Sequence, residues 1–375
     1  MLVEVHMLKN YPPVNLNRDD SGMPKTCYFG GVQRGRISSQ CLKRSWRTSE
    51  IFKSIDSYGI RTRKFPELIK DKLIEMGVSE ELAEAAKGKM SGIANKDGKE
   101  TKDGKTQQSL FYASEEVDRV AKRVKEAIDA DEGDLKKFSK RKATEFQDMA
   151  DDAKVSPISA DIALFGRMAT SKYFVDVDAS MQVAHAISTH GVNRESDYYT
   201  AMDDLLKPGE ETGASMIGDV DYNSSCYYEY ASLDTDILRD NLKNNPDAEE
   251  LIEKLIPAII KCMIFTNPSG KQNTFAGHVL PDMVMIECKN TKIPLSYVNA
   301  FEEAVPTWGS NPKVVRTSLE KFVSHVDCMD DVYGLEVGFR GYISPRYGEI
   351  VPKKGTIYKD LAAIIDGCTE WIKEN

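Results

Sequence analysis

Cysteine and histidine are scarce in this chain, with seven of the first and five of the second in 375 residues. The cysteines, at 27, 41, 226, 262, 288, 328 and 368, are scattered, odd in number and never in a CxxC pair. That excludes a disulfide framework and a zinc ribbon, and points to reduced thiols in a cytoplasm. No apolar run approaches the ~20 residues that cross a bilayer, so no membrane partner is expected. The opening LVEVHML is too short, and too polar at Glu4 and His6, for a signal peptide. GxSxG, HExxH and phosphate-loop patterns are missing, which removes the commonest serine-hydrolase, zinc-peptidase and nucleotide-hydrolase signatures. The most informative absence is local. From Ser21 to Ser49 there is no Asp or Glu, in a chain whose formal net charge is −9.

That window instead holds Lys25, Arg34, Arg36, Lys43, Arg44 and Arg47. A confined basic strip on an acidic protein suggests a polyanion held in one place. The remaining composition, 41% hydrophobic and 29% charged, fits a globular chain of two or three domains. Leu2 to Leu8 alternates, with Val3, Val5 and Met7 on one face, and reads as a strand. Ser38-Ser39 opens a helix, because serine oxygens cap the first free N–H groups. At ~100° per residue, Cys41, Leu42, Ser45, Trp46, Ser49 and Phe52 share one arc, and Lys43, Arg44 and Arg47 the next.

The region from about 60 to 154 reads as a mostly helical insertion. Pro66 to Met76 predicts a helix stopped by Gly77, and Ser79 caps another. Residues 87–108 are nearly free of apolar side chains and read as a mobile loop. Val117, Val120, Val124 and Ile128 predict an amphipathic helix. Beyond it, MQVAHAISTH at 181–190 reads as extended, with Met181, Val183, His185, Ile187 and Thr189 on one face. Residues 192–225 form a polar excursion between two strands, more often a projecting arm than a structureless gap. CYYEYASL at 226–233 and MVMI at 283–286 read as strands, and Asn245-Pro246 opens a helix that should bend at Pro257. Strands and helices in this order suggest an α+β sandwich.

Candidate chemistry is thin. His185 and His190 are five apart and face opposite sides of a regular strand, with His185 on the apolar side as a core histidine. Asp19-Asp20 is the best metal pair, since adjacent carboxylates hold Mg²⁺ for phosphodiester cleavage. The alternative is pairing with Arg18 or with the basic helix. Nucleic-acid binding has more support. Lys and Arg neutralise phosphates, a helix start adds N–H donors, and Gly30-Gly31 permits close backbone approach. Tyr198-Tyr199 and Tyr227-Tyr228 either stack on bases or fill a core.

The stretch NLNRDDSGMPKTCYFGGVQRGRISSQCLKRSWR resembles the N-terminal motif of the CasC family, backbone subunits of the type I-E CRISPR Cascade complex. GRMATS at 166–171, VDASMQVAHAISTH at 177–190, DYYTAMDDL at 197–205 and PDMVMIEC at 281–288 are similar to later family blocks, in the same order. The resemblance implies an RRM/ferredoxin-like palm (1–58, 155–191 and 225–375) with an inserted helical fingers domain (59–154) and a β-hairpin thumb (192–224). It implies a cytoplasmic, non-catalytic protein of antiviral defence, with no cofactor and no metal. Its partners would be CRISPR guide RNA, the target DNA strand, other Cascade subunits, and copies of itself in a head-to-tail filament. The protein would grip backbone and shape while the guide reads sequence.

The resemblance also distributes roles. Ser38, Gln40, Lys43, Arg44 and Arg47 would hold guide phosphates, with Lys25 and Arg18 beside them. In the GRMAT block, Arg167 would contact RNA and Met168 would wedge beside a displaced base; by composition alone Met168 could equally be a core methionine. Tyr198, Tyr199 and Thr200 would sit at the thumb base, and Met216 and Ile217 at its apolar tip. Lys271 and Gln272 either touch RNA or shape a turn. Lys136, Lys137, Lys140 and Arg141 share a helical face and either grip duplex DNA or form a solvated charge run. Two rival functions are a metal-dependent ribonuclease of a related CRISPR complex and a stand-alone RNA-binding regulator.

Overall fold

A computed structural model describes residues 1–95, 97–147, 157–169, 173–201, 216–309 and 312–375. In chain order the elements begin with β1 (Leu2–Val14), β2 (Thr26–Phe29), β3 (Val32–Ile37), α1 (Ser39–Arg47), α2 (Glu50–Lys53) and β4 (Ile60–Thr62). Next come α3 (Phe65–Glu75), α4 (Glu80–Met90), β5 (Leu110–Tyr112), α5 (Ser114–Ala130), α6 (Leu135–Lys140), α7 (Ala143–Gln147) and α8 (Ala160–Phe165). Then follow β6 (Met181–Val183), β7 (Ala186–Ser188), β8 (Glu195–Ala201), β9 (Met216–Asp234), α9 (Thr235–Leu242), α10 (Ala248–Phe265) and α11 (Gln272–Phe275). The chain closes with β10 (Met283–Lys289), α12 (Val314–Tyr333), β11 (Phe339–Ile343), β12 (Thr356–Ile357) and α13 (Leu361–Glu374). The fold is mixed α+β, in two units. Among the described residues no helix is long and apolar enough to cross a membrane.

The first unit comprises residues 1–49, 183–232 and 259–375. Its sheet runs β12-β11-β10-β1-β9-β7-β3-β2, with β6 and β8 also paired to β9. The alternation expected of Leu2–Leu8 gives a strand buried on both faces, because β1 and β10 lie mid-sheet. Polar residues on these strands therefore need internal partners. Glu4 stands directly opposite Glu287, a like-charge pair that would be destabilising alone. Lys289 Nζ lies 2.5 Å from Glu4 and 3.0 Å from Glu287, and Arg340 bridges Glu287 to Asp330. Burial would raise the Glu287 carboxyl, but His6, Lys289 and Arg340 hold it well below the usual carboxylate range.

A second buried pair is less well served. Lys9 Nζ donates to the carbonyls of Met263 (2.6 Å) and Thr266 (3.4 Å). Glu229, 3.9 Å from that ammonium, has neither carboxylate oxygen hydrogen-bonded. Burial pushes its carboxyl up, with Lys9 only partly offsetting this. A raised acid contributes stability below its unfolded pKa, near 4.5, and loses it as pH rises through the folded value. Glu229→Gln lacks that titration. The melting temperature of the variant relative to wild type should therefore climb by a few degrees between pH 5 and pH 8. A difference that stays flat across that range in thermal scans would show Glu229 charged throughout.

The His185 expectation is corrected. The strand breaks at 184–185, where Ala184 N donates to Tyr230 O, so alternation restarts one step out of phase. His185 is exposed and hydrogen-bonded to Arg36 at 3.0 Å. His190 is the buried one, accepting from Cys226 N at 3.2 Å.

The second unit comprises residues 50–182 and 233–258, and so extends beyond the helical insertion expected over 59–154. Its core gathers Phe65, Ile69 and Leu73 of α3 with Val117, Val120 and Val124 of α5, around stacked Phe65 and Tyr112. The helices stop as their sequence dictates, α3 before Gly77 at φ 81°. Of the mobile loop expected over 87–108, residues 87–90 belong to α4 and residues 92–95 are stitched down. Ile93 is fully buried, and Gln147 Nε2 donates to the carbonyls of Gly92, Ile93 and Asn95. A long-range amide anchor of this type leaves no periodic signal.

Candidate nucleic-acid interface

α1 begins at Ser38, whose hydroxyl accepts from Cys41 N at 3.3 Å while its own N–H donates to Asn17 Oδ1 at 2.9 Å. Leu42 and Trp46 point into the core. Cys41, Arg44, Ser45, Thr48 and Ser49 do not; they line a cleft of about 720 Å³ with the 16–20 loop and residues 266–270. Ser45 and Thr48 donate back to helix carbonyls, Cys41 O and Arg44 O. Arg44 and Arg18 are the cations of this cleft, which Asp19 and Asp20 also line. Lys43 and Arg47 occupy the opposite shoulder, roughly 100° further round the helix. Burial lowers the Lys43 ammonium below the usual lysine value.

The positive charges act on their neighbours. Burial raises the Cys41 thiol, while Lys25 and Arg44 pull it back. His185, exposed but partly desolvated by its surroundings, is lowered by that desolvation and then by Arg36 and Lys25. Residues from three separated segments thus bring positive charge to one place. Gln40 is exposed at the first turn, which contains no acidic residue.

Two cations of the strip are held by backbone carbonyls, Arg34 in the interior and Arg36 half-buried. Arg34 is fully buried and donates to the carbonyls of Ser188, Phe301 and Glu302. Arg36 Nε reaches Thr26 O at 3.3 Å. Gly30-Gly31 is likewise explained by the fold, not by a ligand. Both have positive φ in the two-residue β2–β3 turn, and a Cβ on Gly30 would lie 1.8 Å from Glu302 O. Asp19 uses one oxygen to accept from Ser21 N and Met23 N at 2.9 and 3.0 Å, which makes it a turn former. Gln272 Nε2 donates to Pro268 O at 2.9 Å and Lys271 sits at φ 51°, so this pair shapes the 268–277 turn. The neighbouring residues Thr266, Asn267, Ser269 and Gly270 line the cleft instead. Sequence reasoning missed them by one turn.

β8 and the start of β9 form the projecting ribbon, paired from Glu195↔Tyr222 to Ala201↔Met216. Residues 202–215 lie outside the described residues. Asn15 Nδ2 donates to Asp221 O at 2.8 Å and ties the ribbon root to the loop beside the cleft. Tyr198, Tyr199, Met216 and Ile217 are all exposed. Thr200 pairs with Ile217, so these residues are neighbours across the ribbon and not a base and a distant tip. Tyr199 lies over Gly218, where a Cβ would come within 2.6 Å of its ring. Tyr227 and Tyr228, by contrast, are core residues.

In the second unit, Met168 is 81% exposed and cannot be a core methionine. Thr170 and Ser171 of the same block lie outside the described residues. Arg167 corrects the expectation of an RNA contact. It is buried, ion-paired to Glu116 at 2.7 Å, and donates to Phe111 O and Val175 O. Arg141 is also corrected. α6 ends at Lys140, and Arg141 is clasped by Asp131 at 2.7 and 3.0 Å rather than sharing a helical face. Lys137 leans toward Glu132 at 3.4 Å. Lys136 and Lys140 remain exposed.

Residues 3–356 match the sequence profile of the CT1975-like proteins. The chain belongs to the CT1975-like protein family. Two solved structures resemble this member over 99% of both chains. One, described as a CRISPR RNA-guided surveillance complex, pre-nicking, is 27% identical with a TM-score of 0.84. The other, a CRISPR RNA-guided surveillance complex, is 25% identical with a TM-score of 0.72. No curated protein matches. The CasC-type resemblance read from the motif blocks is borne out by these likenesses, as is the mixed α+β fold.

Proposed function

We propose that this CT1975-like chain is a non-catalytic, guide-RNA-binding backbone subunit of a type I-E CRISPR surveillance complex. The carrying observation is the α1 face: Arg18 and Arg44 line its cleft together with Asp19 and Asp20, Lys25 acts on Cys41 beside it, and the capped first turn of the helix contains no acidic residue. Such a surface neutralises phosphates without reading bases. In this reading 1–58, 155–191 and 225–375 act as palm, 59–154 as fingers and 192–224 as thumb. Copies stack head to tail along the RNA, with Met168 as the wedge and Lys136 and Lys140 toward target DNA.

The test is the nucleic acid that accompanies the purified chain. Discrete, repeat-derived RNA is the expected result on sequencing the bound fraction. Mixed cellular RNA, or none, would overturn the proposal, and RNA sharing one sequence motif would favour a stand-alone regulator.

A further inference from the structure

The ribbon is acidic. Its described strands, 195–201 and 216–222, carry Glu195, Asp197, Asp219 and Asp221 and no Lys or Arg. Across 195–222 the sequence has eight acidic residues and one lysine, so this stretch carries −7 against the chain's formal −9. The β8–β9 register places Glu195 and Asp197 on one face, and Asp219 and Asp221 on the other, since side chains alternate along a strand. Both faces are therefore acidic near the root. Tyr198, Tyr199, Ile217 and Met216 occupy the outer half. Asp221 has Arg194 at 3.7 Å and the Ser196 hydroxyl. Asp197 and Asp219 have no cationic partner among the described residues.

An apolar, aromatic band with unpaired carboxylates beside it accepts the faces of bases and repels the backbone that carries them. Helix α1, with Lys43, Arg44 and Arg47 and no acidic residue, does the opposite. We infer that Asp197 and Asp219 are specificity-determining residues that keep RNA phosphates off the ribbon, so that it meets bases only. This rests on the guide-RNA reading above and adds to it a division of labour between two surfaces of one unit.

The test compares wild type, Asp197→Asn/Asp219→Asn and Asp197→Lys/Asp219→Lys as full chains, on one long single-stranded RNA across a salt series. Both positions are exposed, and the asparagine pair is isosteric, so folding is not at issue for it. Two added phosphate contacts should steepen the salt slope by about 1.4 and tighten binding by up to about 25-fold at 0.1 M salt in the lysine variant. The asparagine variant should shift the same way by a few-fold. Chemical probing should show the periodic exposure of bases blurred in both. Unchanged or weaker binding in both variants overturns the inference; weaker binding with loss of self-association would place the carboxylates on a basic protein surface. A wild type that binds no RNA at all removes the guide-RNA reading itself, before any variant is compared.

Discussion

Replacing residues 197–220 with a short Gly-Ser turn should leave a folded, RNA-binding protein that no longer imposes a periodic pattern on the strand. The cut is placed to spare Asp221, whose carbonyl accepts from Asn15, and the Ser196–Asp221 pair that closes the ribbon root. β9 continues beyond the cut as a buried strand from Ser225 to Leu233, so the sheet keeps its centre. Lys43, Arg44 and Arg47 lie on α1, outside the deleted segment, and the RNA affinity proposed for them should survive. The loss falls on Tyr198, Tyr199, Met216 and Ile217, the exposed side chains able to meet bases. A ribbon that reaches the next copy makes a heterologous contact, which grows an open filament whose length the RNA sets. Without it, long RNA should still recruit protein but without regular spacing. The measurement is a nucleotide-resolution probing ladder on one long RNA, with Met168→Ala beside it. That variant should blunt the ladder without abolishing it, because it removes the proposed wedge and no charge. An unaltered ladder in the deletion protein would deny the ribbon this role.

Local signals in the sequence were legible where a single residue type decides a backbone group. Ser38 caps α1, Gly77 follows α3, and Val117, Val120, Val124 and Ile128 all reach the core of α5. The acid-free window did mark a cationic surface. What it could not show is which of six cations face outward. Arg34 is turned in by carbonyls at 188, 301 and 302, more than a hundred residues away. Arg167 is turned in by Glu116, and Arg141 is held by Asp131. Each is a long side chain whose direction depends on a partner set by the tertiary fold, and charge counting treats it like its exposed neighbours. The break at 184–185 is a similar case, since one unpaired step exchanges the environments of His185 and His190. The buried set of Glu4, Glu287, Lys289, Arg340 and Asp330 left no trace in the pattern either. Its members come from β1, β10, β11 and α12, and only the register brings them together.

The triple variant Lys43→Ala/Arg44→Ala/Arg47→Ala should lose about 100-fold in affinity for single-stranded RNA at 0.1 M salt and almost nothing at 1 M. Each phosphate contact on a single strand contributes about 0.7 to the slope of log affinity against log salt, so three contacts account for about 2. Referred to 1 M, where this term vanishes, a slope change of 2 is about two decades at 0.1 M. Single variants should each cost roughly five-fold, alike for every sequence tested, because phosphates carry no base identity. Folding should tolerate the changes. Leu42 and Trp46 hold the buried side of α1, alanine favours helix, and the Ser38 cap is untouched. Arg34→Ala is the control of opposite character. It belongs to the same acid-free window but leaves the carbonyls of Ser188, Phe301 and Glu302 without a donor. It should lower the melting temperature, and in the fraction still folded the salt slope should match wild type. If instead Arg34→Ala flattens the slope while the triple variant does not, the phosphates lie against the β2–β3 hairpin and not along α1.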